Sequence, residues 1–426
     1  MLTLRTTPSP AVTATPAAPA AAMAATGAVA VVAAAHAGVD AVSGSVAALL
    51  PTLEGRFELT GGQVGLLLAT LSTASMLSQP VVGRVADRVG MKKVAVAGAI
   101  TAAALLSLLG VVGHIAVVYA LLVAGGLGSA AFHPAAAVAA RRVLPERASL
   151  AISLFSAGGM VGLALGPIAV LLLTAHAGLG FTPLLMLPGV ALGAALWRIV
   201  PDEAPHDERP KTDGALRLLR GPVGAVASAG MLVALASTTF HAGLPLWLTQ
   251  RGGFDADAAL IGWTLGAFDL AAAVGGLASA WGASRIAPSW IAGLSLAAAP
   301  AALAGTLVAA PGTPPFFLAC VAAGALVNAA APLLMVGAQD LSRGAVAAAS
   351  GLMGFASGAA GIAFIGIGQL IDTTSLTVGL AVGFAALLPA AAIAGRSLGR
   401  NAAEADVLDL VAAGCGCGIN GCCTTA

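Results

Sequence analysis

The sequence predicts an all-α membrane protein of twelve transmembrane helices, arranged as two pseudo-symmetric six-helix bundles. Three observations predict it. Hydrophobic residues make up 59% of the 426 and charged residues 9%, with a mean hydropathy of +0.97, whereas a soluble domain is about 25% charged. Apolar runs of about 20 residues, enough to cross roughly 30 Å of hydrocarbon, recur from end to end. Glycine supplies 55 residues, and small residues let helix backbones approach in lipid, where no hydrophobic effect draws helices together. A large soluble core of this composition is excluded, since it would have no polar surface left. The net charge of +1 points to no nucleic-acid partner.

Residues 1–26 are rich in Ala, Pro and Thr with Arg5 as their one charge, and read as a disordered cytosolic tail. Pro8, Pro10, Pro16 and Pro19 interrupt any apolar core, which argues against a cleaved signal. Twelve apolar segments follow, near 27–51, 62–82, 94–113, 115–138, 150–173, 182–200, 222–248, 259–280, 289–310, 315–337, 347–371 and 376–395. The longest connection, 201–221, is mixed in charge and separates one bundle (27–200) from the other (222–395), and 396–426 forms a second tail. With the segments alternating across the bilayer, seventeen of the nineteen Lys and Arg fall on one side, leaving only Arg56 and Arg251 opposite. The excess of cations on cytosolic loops then places both termini and the middle connection in the cytosol of a multi-pass inner (plasma) membrane protein. The two halves echo each other, with "FSAGGMVGLALG" (155–166) against "FASGAAGIAFIG" (355–366), and "HAGV" (36–39) against "HAGL" (241–244). A duplicated six-helix unit is the arrangement of transporters built from parallel repeats.

Between the second and third segments, "GRVADRVGMKK" packs five charges into eleven positions, in the pattern Gly83-x-x-x-Asp87-Arg88-x-Gly90-x-Lys92-Lys93. This resembles the signature loop of the major facilitator superfamily, which implies that fold and a gating role for Asp87. The equivalent loop of the second half has Ala280 where an acid is expected and keeps only Arg285. Gly158, Gly162 and Gly166, followed by Pro167, give the fifth segment a smooth face and resemble the superfamily's antiporter-associated motif. Leu122 stands where the superfamily usually carries an arginine. "AFHP" (131–134), "SLFSAGGMVGLALGP" (153–167), "GAQDL" (337–341), "SGLMGFASGAAG" (350–361) and the His36-x-x-x-Asp40 pair are similar to the fosmidomycin-resistance type of drug exporter. That resemblance implies proton-driven efflux of a small molecule by a monomer.

Polar groups within the spans are functional candidates. His36 and Asp40 share a face one helical turn apart. Asp269 lies near the middle of the eighth segment, and all three are expected to couple protons. His133, His241, Asn328 and Gln339 are cavity candidates, with simpler roles open to each: His133 satisfying carbonyls freed by Pro134, His241 meeting water, Asn328 bonding between helices. No Lys or Arg accompanies the two acids, so neither has an evident cationic partner in the membrane. An acid at mid-bilayer costs about 2.5–3.5 kcal/mol to insert, which favours carrying it protonated. Cys320 reads as a packed small residue. Cys415, Cys417, Cys422 and Cys423 cluster in the C-terminal tail, where reduced thiols would suit a soft or borderline metal ion, with a chance composition of the tail or a lipidated tail as the alternatives. No Gly-x-x-x-x-Gly-Lys phosphate loop is present, so the expected energy source is the proton gradient, with no cofactor and no enzymatic activity. Export of a soft metal or its complex by way of the Cys tail, and a non-transporting receptor derived from a transporter, are the rival functions.

Overall fold

The structure is a computed structural model that describes residues 19–144, 148–200, 218–342 and 346–399. Among these there is no β-strand. Eleven helices are long and apolar enough to cross a membrane. In chain order they are α1 (Pro19–Phe57), α3 (Met91–Gly110), α4 (Ile115–Val143), α5 (Ala148–Ala177), α6 (Leu179–Ile199), α7 (Pro222–Gln250), α8 (Ala259–Gly282), α9 (Pro288–Val308), α10 (Pro314–Leu341), α11 (Val346–Thr373) and α12 (Leu376–Gly399).

The remaining crossing, α2, is segmented. An α-helix over Gly61–Ser72 gives way to a π turn at Thr73–Leu77 and then to a second α-helix, Gln79–Val89. Each expected segment therefore has a helix. α1 begins at Pro19 rather than near 27, which corrects the expectation of a disordered tail up to 26. Proline is favoured at a helix start, and the alanines behind it carry the best helix propensity. Residues 1–18, the connection 201–217, and everything beyond Gly399, including Cys415, Cys417, Cys422 and Cys423, lie outside the described residues.

Within the first half α5 lies against α1. A Cβ at Gly158, Gly162 or Gly166 would run into the carbonyls of Ala33, Ala37 and Ala41 in turn. The three glycines thus set α5 backbone to backbone on α1, the helix that carries His36 and Asp40. In the second half Gly275 and Gly324 bring α8 and α10 together in the same way, against Ala325 and Phe268.

The halves meet along two seams, α2 with α11 and α5 with α8. On the first, Gly65 faces Phe364 and Ile365, Gly361 faces Ser72, and Gly358 faces Met76. On the second, Gly262 and Gly266 lie against Ala164, Pro167 and Ile168. Both seams are tight toward the arginine-poor face. There the Asp372 carboxylate at the end of α11 accepts from the Gly61 and Gly62 N–H groups at 2.6 and 2.8 Å. Thr60 Oγ1 accepts from the Gln63 N–H, and the Gln63 side chain accepts from the Thr60 N–H. The first donors of α2, which have no partner within their own helix, are thus satisfied partly from across the seam. Glu54 of α1 also accepts from Gln250 of α7 at 2.8 Å. The arginine-rich piece of α2, 79–89, packs against α3, α4 and the π turn, all in its own half.

Candidate functional site: two buried histidine–carboxylate clusters

His36 and Asp40 sit one turn apart on α1, with His36 Nε2 3.1 Å from Asp40 Oδ2. His133, from α4, places its Nε2 3.1 Å from the other carboxylate oxygen, Oδ1. Asp40 is therefore held between two imidazoles. In the second half His241 of α7 places Nε2 2.9 Å from Oδ1 of Asp269 on α8. Both acids have a cationisable partner, which corrects the expectation that neither does. The partners are histidines rather than Lys or Arg, and two of the three contacts come from another helix.

The other ring nitrogens are also accounted for. His36 Nδ1 donates to the Phe155 carbonyl of α5, His133 Nδ1 to that of Ser129, and His241 Nδ1 to that of Ser237, each at 2.7 Å. Ser129 lies four residues before His133, so its carbonyl is not the one that Pro134 leaves without a helical donor; that carbonyl belongs to Ala130. Phe155 stacks on His36 with ring centroids 4.0 Å apart, and Phe268 meets His241 edge-on at 5.3 Å. Gly159 closes the first cluster: a Cβ there would stand 2.5–2.7 Å from His36 Cε1, His36 Nε2 and Asp40 Oδ2.

A carbonyl only accepts, so each Nδ1 must carry its hydrogen. Each Nε2–carboxylate contact then needs one more proton, on either partner. With every contact made, the first cluster holds two Nδ1 hydrogens and two bridging protons, a net charge of +1 wherever the bridging protons sit. The second has one of each and is neutral. Removing one proton from the first cluster leaves two acceptors facing each other, and one contact must open. In each cluster an imidazole is the more exposed member, with His133 and His241 side chains 27% and 25% accessible against 13% and 7% for Asp40 and Asp269. His36, Asp40 and His133 each offer one ligand atom, all within 4.8 Å of one another, so this cluster has the donors for a cation as well.

The other sequence candidates lie elsewhere. Asn328 donates from Nδ2 to the Ala272 carbonyl at 2.9 Å, an α10–α8 bond. Gln339 is half-buried on the last turn of α10. Gly90 has φ 108°, and its N–H bonds the Ala86 carbonyl at 2.8 Å, giving the sharp turn between α2 and α3. Lys92 lies over the Trp197 ring at 4.9 Å, while Arg88 and Lys93 are exposed. Gly83, Arg84 and Asp87 lie on the second helical piece of α2, and the side chains of Arg84 and Asp87 are outside those described. Sequence reasoning missed Ser129, Ser237, Phe155, Gly159 and Asp372. A signal for the first two was present: "SAAFH" (129–133) and "STTFH" (237–241) repeat Ser-x-x-Phe-His, and each histidine bonds its own serine carbonyl.

Twelve crossings in two halves that meet along paired seams, with a titratable cluster in each half, define a multi-pass membrane transporter. Residues 32–365 match the Major Facilitator Superfamily, and the chain belongs to it. Over 144 residues, 33% of this chain and 35% of the relative, it is 34% identical to the fosmidomycin resistance protein of Escherichia coli (strain K12). Over 166 residues, 38% and 36% of the two chains, it is 29% identical to the uncharacterized MFS-type transporter YfnC of Bacillus subtilis (strain 168). These matches span about a third of the curated relatives' length. The fold is similar to a bacterial homologue of the human lysosomal transporter Spinster in its inward-facing, unoccupied conformation. The TM-score is 0.70 at 16% identity, over 90% of this chain and 98% of that one. It is also similar to the nucleoside transporter NupG, with a TM-score of 0.68 at 14% identity, over 88% and 99%.

Proposed function

We propose that this transporter exports a small organic molecule by proton antiport across a bacterial inner membrane, with both termini in the cytosol. The proton count at Asp40 carries the proposal: the fully bonded cluster is cationic, and releasing one proton opens one of its two contacts, of which Asp40–His133 is the one between helices. Protonated, the cluster ties Asp40 of α1 to His133 of α4; with one proton lost, the His36 or the His133 contact to Asp40 is released, while His36 Nδ1 keeps its bond to the Phe155 carbonyl of α5. The Asp269–His241 pair reaches a closed network while neutral, so it serves as the second proton site rather than the driver. Likeness to a fosmidomycin resistance protein supports efflux, and the split of seventeen cations against two supports the orientation.

In that orientation the tight ends of both seams face outward, and Asp372 belongs to the outer gate. Asp87, at the cytosolic end of α2, is its counterpart on the inner side. The test is ligand-evoked proton movement in proteoliposomes holding a pH indicator, with fosmidomycin as the first probe and a panel of amphiphilic drugs after it. A probe that is bound and moves protons with it supports a carrier. Binding without proton movement for every bound probe would point to a receptor or an uncoupled facilitator.

A further inference from the structure

We propose that the His36–Asp40–His133 cluster is also a divalent transition-metal site, in which one ion takes the place of the two bridging protons. Both imidazoles have Nδ1–H fixed on a main-chain carbonyl at 2.7 Å, which locks the ring and aims Nε2 at the carboxylate. A carbonyl on the second nitrogen is the usual support of a metal-bound histidine, because it sets the tautomer and makes Nε2 a better donor. The two Nε2 atoms and a carboxylate oxygen lie within 4.8 Å of one another, with His36 Nε2 3.1 Å from Asp40 Oδ2 and His133 Nε2 3.1 Å from Oδ1. A tetrahedral ion with bonds of about 2.0 Å has ligand edges of about 3.3 Å, so the 3.1 Å contacts already have the right scale and the wider separations of the set close as the ion enters. Gly159 adds no Cβ where one would press on His36 and Asp40.

Charge makes the exchange even. With both bridging protons gone, two neutral imidazoles and a carboxylate sum to −1, and a divalent ion restores the +1 of the protonated cluster. One ion therefore displaces two protons with no net change of buried charge. Two imidazoles and a carboxylate suit Zn(II) and its spectroscopic substitute Co(II), and leave a coordination position open to water or a ligand atom. The bound ion would hold α1 to α4 as the protons do, and so would compete with them.

The geometry alone carries this site; proton-coupled export is not a premise. The experiment uses the full-length protein in detergent with Cys415→Ser, Cys417→Ser, Cys422→Ser and Cys423→Ser, so that the tail thiols cannot answer for the cluster. Co(II) is titrated while visible absorption and proton release are recorded. The expected result is one equivalent giving the strong d–d bands of a four-coordinate nitrogen–oxygen site, with two protons released per ion. Those bands should be lost in His133→Ala and in Asp40→Asn, each checked as folded by gel filtration. Absence of the bands, or bands unchanged in both variants, overturns the proposal. The same preparations, reconstituted, are assayed for probe-evoked proton movement, so that the metal site and the proton reading stand or fall separately.

Discussion

A histidine with acceptors at both ring nitrogens is bonded at both ends only if it is charged or if one acceptor brings the proton. His36, His133 and His241 are all in this position. Removing His133 reduces the first cluster to one imidazole and one acid, the neutral composition of the second. His133→Ala is therefore expected to lower the number of protons exchanged per substrate, while His36→Ala slows transport and shifts its pH profile without abolishing exchange. Both effects are read from the pH dependence of counterflow and net flux. Gly159→Ala should slow transport at least about fivefold, because a buried contact that cannot be remade costs about 1–3 kcal/mol. A rate within twofold of wild type would mean that the cluster tolerates displacement. The His36–Asp40 pair was legible because a four-residue spacing puts both groups on one face. The tie to His133 was not, since Asp40 and His133 lie on different helices and only the α1–α4 packing brings them together. The repeated Ser-x-x-Phe-His was visible, but its meaning rests on carbonyl bonds that no residue pattern displays.

Among the elements, α2 differs most from its expected form. Its apolar run marked a crossing, yet the π turn at Thr73–Leu77 leaves no sign in composition. That turn lies between the clusters and the seam. Ser75 donates to Ser129 Oγ at 3.2 Å, Ser129 holds His133, and Met76 of the same turn faces Gly358 of α11. π turns are frequent at functional sites, and this one joins the Asp40 cluster to the α2–α11 contact. At the end of the same seam Asp372 caps α2 from the other half. A cap of this kind is worth about 1 kcal/mol, so Asp372→Ala should shift the balance of access states about fivefold. The expected direction is away from the state closed at the arginine-poor face, measured by thiol labelling of cysteines placed along 61–65. Unchanged labelling would remove Asp372 from the gate. For the inner counterpart, Asp87→Asn is expected to slow turnover while leaving ligand binding in place.

At the scale of the whole molecule, the two-bundle fold was legible because lipid permits few alternatives. A backbone crossing hydrocarbon must satisfy its own hydrogen bonds, and uncharged runs of about 20 residues then count the helices. Internal resemblance was a weaker guide. Phe155 and Phe355 hold matching places in the repeat, but Phe155 stacks on His36 whereas Phe355 is exposed. The "HAGV" and "HAGL" pair was weaker still as a guide to chemistry. His36 has its acid on its own helix, while His241 reaches to another helix as His133 does. Orientation rests on the loop cations, and a C-terminal reporter should be active only in the cytosol; activity outside would reverse every assignment of inner and outer gate.

We propose that protons drive transport through the cationic cluster at Asp40 more than through the neutral pair at Asp269. This is tested most directly by pH-jump-driven accumulation in proteoliposomes of Asp40→Asn and Asp269→Asn, side by side with wild type. Asn at 40 keeps the size of the side chain but cannot take up or release the proton. Asp40→Asn is predicted to abolish accumulation against a gradient while counterflow exchange survives, and Asp269→Asn to retain part of the accumulation. Accumulation by Asp40→Asn together with its loss in Asp269→Asn would place the coupling on α8 instead.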